Sequence, residues 1–431
     1  MAKDGSPAQA FPDNLVLEIV ARCRTAADVI RCAATSKPIR SGILSEPFLR
    51  CLVRHGDGNG DFIPVLLVGL YHKTNDDPDR PLPFVPVPGG RGNKEYPLPP
   101  APEPDDPSAS CRYGSYLAVA SRRSLVVLRR KCRVTEQEHL TECHSLHPVE
   151  LSACNPTTGE RLVLPPHDLM DTSHAVLQVT HPLGPSKFKL LLAELSEHAP
   201  KTLYVQIFSS EDGCWGDVFP CAIPRACEFV PGPHGRPASP AVVGDTVYWM
   251  CNTDVGRHVL SWRWRGGGAG QRQKTSLLKL PSPFVFGDVE TCLAVLPSPS
   301  SAASLLGLIV LEERGDIQVW VHEDQSGGRF AWDLRHRVQG TPPPLGFGDS
   351  WLYGKEIVCF CEGSGTLFLR DGDGENNLTS VQLSLATNNN NNNNKAVRKL
   401  EATTWDLPSG ADFCPYEIDL LSHMLCGMKT Y

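Results

Sequence analysis

A small all-α block at the N-terminus, followed by a large all-β domain built as a β-propeller, is the architecture that the sequence predicts. A large β-sandwich is the rival. Three observations predict it. Apolar residues at helical spacing are confined to the start of the chain, short apolar runs separated by turn residues fill the rest, and one set of strands recurs. The expected division is residues 1–55 for the helical block and 56–431 for the β domain.

In the first helix Pro12 stands where a missing N–H costs nothing, and Leu15, Val16, Ile19, Val20 and Cys23 form one apolar stripe. Thr25, with Asp28 three residues on, suits a second helix start, and Val29, Ile30, Ala33 and Ala34 continue it. Lys37-Pro38 breaks that helix, because a residue before proline avoids the helical region. Ile39, Ile43, Leu44, Phe48, Leu49 and Leu52 supply further apolar clusters. So short a block holds few core residues, and it carries more apolar surface than its helices can bury among themselves. It is expected either to cap the next domain or to dock on a partner.

Phe62 to Tyr71 reads as the first strand. The Pro-, Gly- and Asp-rich stretch at about 75–110 favours extended, solvated backbone and is expected as a loop within the β domain. Leu125-Val126-Val127-Leu128 is a strand whose flanking basic residues, Arg122-Arg123 and Arg129-Arg130-Lys131, are expected at its solvated ends. Leu151 to Cys154 and Arg161 to Leu164 are strands joined by a tight turn through Asn155-Pro156-Thr157-Thr158-Gly159. The recurring set begins with Phe188–Leu195, Leu203–Phe208 and Trp215, and returns as Leu306–Leu311, Ile317–Val321 and Trp332. Each copy leads to a hairpin of similar type, Val242–Trp249 or Trp351–Val358. Tyr248, Trp249 and Trp351 are expected to be structural. Four-strand units of this size imply roughly six to eight blades. Asn388 to Asn394 is a polar tract read as a loop excursion.

The residues of the helical block carry a family resemblance. Phe11-Pro12-Asp13-Asn14-Leu15 through Ile19-Val20 and Cys23, then Thr25 to Lys37, then Glu46-Pro47-Phe48-Leu49, resemble the F-box in order and spacing. Two positions depart from its pattern: Ile39 stands where the family has tryptophan, and Cys23 where it has leucine. The Cys154–Glu160 segment and the Gly244 to Trp249 hairpin are similar to the β domain of plant F-box proteins, particularly those of grasses. The resemblance implies docking on a Skp-type adaptor, and through it on a cullin, by Phe11, Pro12, Leu15, Val16, Ile19, Val20, Val29 and Ile30. It implies that the chain is the substrate-recognition subunit of a ubiquitin ligase and not itself an enzyme, with an unidentified protein as substrate.

Composition excludes other classes. The net charge of −7 offers no basic footprint for nucleic acid. No run approaches the ~18 apolar residues of a membrane span, and the first residues lack the apolar core of a signal peptide. A cytoplasmic or nuclear protein is expected, its sixteen cysteines reduced and many of them packed as small hydrophobes. Cys132, His139, Cys143, His144 and His147 match no common zinc spacing, so no metal or other cofactor is expected. Gly266 to Gly270 is not correctly spaced from Lys274 for a phosphate-binding loop, and no catalytic constellation is legible. Two alternatives stay open: an enzyme on a propeller scaffold, and a scaffold protein whose F-box no longer docks.

Overall fold

The architecture is that of a six-bladed β-propeller with a few short helices at its N-terminus, seen in a computed structural model. The residues described are 13–23, 26–33, 35–45 and 48; 65–72, 82 and 84–86; 113–132, 149–169, 172–180, 187–196 and 201–231; 238–264, 275–281, 284, 289–297, 304–312, 316–325 and 329–338; and 355–371, 378–383, 397–399 and 413–419.

Three helices, α1 (Asp13–Val20), α2 (Ala26–Ala33) and α3 (Lys37–Ile43), pack on one another. Lys37-Pro38 is not what ends the second helix, which stops at Ala33, and Lys37 is itself helical. The pair opens the third: Ser36 caps α3 by accepting the Ile39 N–H at 3.2 Å, and Pro38 occupies the first turn, where its missing N–H has no partner to lose.

The β domain begins with β1 (Val65–His72) and β2 (Phe84–Pro86). The first blade follows, as β3 (Tyr113–Arg122), β4 (Leu125–Cys132), β5 (Val149–Asn155) and β6 (Glu160–Val163). The second holds β7 (Ser173–Thr180), β8 (Lys187–Leu195) and β9 (Thr202–Ser209), with β10 (Cys214–Trp215) and β11 (Phe219–Ala222) both on β9. In the third, β12 (Cys227–Phe229) and β13 (Ala241–Val243) pair with opposite ends of β14 (Thr246–Thr253), and β15 (Gly256–Arg263) and β16 (Thr275–Lys279) complete the sheet. The fourth is β17 (Glu290–Pro297), β18 (Ser304–Leu311), β19 (Ile317–Gln325) and β20 (Arg329–Val338). The fifth is β21 (Lys355–Cys361), β22 (Thr366–Asp371), β23 (Leu378–Leu383) and β24 (Val397–Lys399). Finally β25 (Phe413–Asp419) pairs antiparallel with β1, so the two ends of the β domain share the sixth, closing blade.

The inner strands β25, β3, β7, β13, β17 and β21 follow one another around the axis. Each gap between neighbouring blades holds its own apolar cluster. Side chains alternate between the faces of a strand, and here both faces are covered. In β4, Leu125 and Val127 face the second blade while Val126 and Leu128 face the closing blade. This is why the middle strands read as unbroken apolar runs. Leu190 to Leu192 and Leu308 to Val310 repeat the arrangement.

The expected turn at Asn155–Gly159 forms as read. Asn155 Oδ1 accepts the Thr157 N–H at 3.0 Å, and Gly159 takes φ +75°, a conformation open to glycine. The basic flanks of β4 differ from expectation: Arg129 is buried rather than solvated, and Arg122 is drawn onto the axis. The two copies of the recurring set occupy equivalent strands, β8–β10 and β18–β20, but the segments after them do not correspond. Val242–Trp249 spans the β13–β14 hairpin, whereas Lys355–Val358 belongs to the single strand β21. Trp351, most of the 75–110 stretch, the Asn388–Asn394 tract and the Cys/His group beyond Cys132 lie outside the described residues.

Candidate functional site

Two places concentrate features that blade packing alone does not use: the outer face of α1, and one end of the propeller axis.

In the helical block, Val20, Val29, Ala33, Ile43 and Phe48 are buried together, with Val16, Leu17, Cys23, Cys32, Ile39 and Leu44 half-buried around them. α1 and α3 approach closely through Gly42, where a Cβ would stand 2.5 Å from a Leu17 methyl carbon. Leu15 and Ile19 are left outside, 44% and 60% exposed. One helical turn apart, they form a single apolar ridge. The Glu18–Arg22 ion pair at 2.8 Å borders it on the same helix.

Of the expected docking residues, Leu15 and Ile19 therefore lie at the surface, and Val16 is half-buried. Val20 and Val29 belong to the interior, because the block is too small to form a core without them. Phe11, Pro12 and the side chain of Ile30 lie outside the description. Ile39, at the position of the resemblance's tryptophan, packs half-buried against the same core.

At the axis, the hairpin between β3 and β4 turns through Arg123 and Ser124, at φ +46° and +70°. Two-residue hairpins need positive φ, which glycine or asparagine ordinarily supplies, so two other residues there carry strain. Arg122, at the end of β3, sends its guanidinium across the ring. Nη1 donates to the Val176 and Leu177 carbonyls, each at 3.0 Å, and Nη2 to the Val242 carbonyl at 3.3 Å. A bulge in β7 at Leu177 turns two successive carbonyls the same way, so one nitrogen meets both. Nε lies 3.7 Å from the Glu362 carboxylate.

Beside it, the Glu417 carboxylate accepts the Gly363 and Ser364 N–H groups at 2.9 and 2.7 Å. Burial pushes the Glu417 carboxyl above the ordinary carboxylate range, against those bonds. Burial likewise raises Glu362, aided by neighbouring Glu417 and opposed chiefly by Arg122. Sequence reasoning missed this group entirely. Its members lie at least 53 residues from their partners, and no local motif marks them.

The buried thiols follow the same physics. Burial raises Cys154 to about 11 and Cys414 to about 12, which suits packing rather than nucleophilic chemistry. Among the described residues no group of His, Cys, Asp or Glu is arranged to hold a metal ion.

Residues 105–268 match a protein family described as a domain of unknown function, DUF7595. The match spans the first three blades as far as β15 and covers less than half of the chain. No curated protein matches the chain.

Proposed function

We propose that the chain recruits a substrate protein to a ubiquitin ligase, with the helical block as an F-box docking on a Skp-type adaptor and the propeller presenting the substrate. The observation that carries the reading is the Leu15–Ile19 ridge. The other described apolar side chains of the block are buried or half-buried, while these two remain largely in water, at a cost of roughly 1–2 kcal/mol each relative to full burial since about half of each is already covered. An apolar groove on a partner would recover that. The chain would perform no chemistry of its own, acting instead by raising the concentration of substrate beside the ligase's ubiquitin carrier.

Substrate contacts would come from connecting segments, since the middle strands are committed on both faces to neighbouring blades. The 231–240 segment is the favoured one. It leaves the inner edge of the third blade between β12 and β13, and its ends are tied by the Ala238 N–H to the Val230 carbonyl at 2.9 Å.

The test is co-purification. Deleting residues 1–55 should abolish recovery of a Skp-type adaptor while the β domain stays soluble. Adaptor recovery undiminished by the deletion would remove the basis of the reading.

A further inference from the structure

The β3–β4 hairpin corner bonds to more of the ring than blade packing requires. Ser121 Oγ donates to the Pro415 carbonyl, and the Ser124 N–H donates to the Glu417 carbonyl at 2.7 Å, both on the closing strand β25. Arg122 holds the second blade at Val176 and Leu177 and the third at Val242, and it faces Glu362 at the end of β21 in the fifth. Three residues of the first blade, Ser121, Arg122 and Ser124, thus reach four of the other five blades. A further link, between the closing and fifth blades, is made by Glu417 on the Gly363 and Ser364 amides.

Ordinary ring closure needs none of this, since the pairing of β1 with β25 already joins the ends. The corner is also built in spite of positive φ at two non-glycine positions, which persists only where surrounding contacts over-determine the backbone. The guanidinium is suited to the position because its planar fork presents donors in several directions at once, which an ammonium cannot reproduce.

We infer that this corner is a second, axial clasp, which makes blades on opposite sides of the ring open together rather than blade by blade. Without it, each gap between blades would depend on its own apolar cluster and could open as a local unit. With it, freeing β7, β13 or β25 requires breaking bonds held by one shared side chain or one shared turn.

Hydrogen exchange of the full-length chain, followed by mass spectrometry, reads this directly. In the unaltered protein the inner strands β3, β7, β13 and β25 should exchange through one common opening. Arg122→Ala should raise exchange in β7 and β13 by about tenfold or more, while β14 and β15 keep their protection, because local openings draw on local contacts. Arg122→Lys is the milder variant, and it carries the test if the alanine variant does not fold. It cannot span three carbonyls, so β13, held by the longest bond, should be released before β7. Unchanged exchange in β7 and β13 for the alanine variant, or for the lysine variant where the former does not fold, would overturn the inference. So would a rise confined to the β3–β4 turn itself.

Discussion

β4 and α1 bury their apolar residues in opposite ways. In β4 the side chains alternate, Leu125 and Val127 to one neighbour and Val126 and Leu128 to the other, and all four are buried. In α1, Val20 turns inward while Leu15 and Ile19 stay in water. A blade's demand for burial is met from both sides by its neighbours, so its middle strands have no apolar surface to offer a partner. The helical block has one layer to pack against and an unmet demand on its far face. The apolar ridge of the smaller region is therefore where a protein partner would be sought first, and for the propeller its connections.

The comparison can be broken by substitution. Trp249 is buried between the second and third blades, stacks on Phe229 at 5.9 Å and donates to Ser173 Oγ at 3.1 Å. Trp249→Ala should cost the β domain about 3–5 kcal/mol in urea unfolding and leave adaptor affinity unchanged. Val29→Ala should do the reverse, costing the block about 1–3 kcal/mol and weakening adaptor binding with it, because Val29 supports α1 from inside. If Trp249→Ala weakened adaptor binding as strongly, the two regions would not be separable.

Acid sharpens the contrast. Burial holds the imidazoles of His167, His322 and His336 below their ordinary range, so they are neutral in the fold. The unfolded chain therefore takes up protons first, and stability carried by these residues is present above about pH 6.5 and lost as pH falls below it. Glu362 and Glu417 act with the opposite sign. Their raised carboxyls bind protons more tightly in the fold, so their contribution improves as pH falls toward the ordinary carboxylate range. Comparing the wild type with His322→Gln isolates the histidine contribution: the variant should show a shallower loss of urea midpoint between about pH 7.5 and 5.5. Glu18 with Arg22 and Asp28 with Arg31 are surface ion pairs of the block, so exchange protection of α1 should not follow the same pH course.

The smallest expected effect is at Ile39. Ile39→Trp adds apolar contact beside a half-buried position and should tighten adaptor binding by about 1 kcal/mol. An unchanged or weaker dissociation constant would mean that the block has repacked around isoleucine.

Much of the propeller was legible because burial on both faces writes unbroken apolar runs such as Leu308-Ile309-Val310, and because Asn155 and Gly159 carry turn chemistry in their own side chain and backbone. The repeat was legible in β8–β10 and β18–β20. It lost alignment at the third blade, where the inner position is divided between two three-residue strands too short to carry a pattern. In α1 the stripe located the helix but could not separate Leu15 and Ile19 from Val20, since all three are apolar at helical spacing. Only the packing of α2 and α3 decides which of them stays in water. The axial corner was illegible for a different reason: Arg122 and Ser121 meet carbonyls 54 to 294 residues away, and two arginines before a strand look like an ordinary solvated end.

The most direct measurement is calorimetric titration of the full-length chain with a purified Skp-type adaptor, repeated on the Leu15→Asp/Ile19→Asp double variant. Loss of two half-exposed apolar anchors, each worth about 1–2 kcal/mol, should weaken binding by about tenfold or more. The variant's unfolding should remain unchanged, because neither side chain supports the core. No saturable binding by the wild-type chain, or equal affinity of the double variant, would contradict the account.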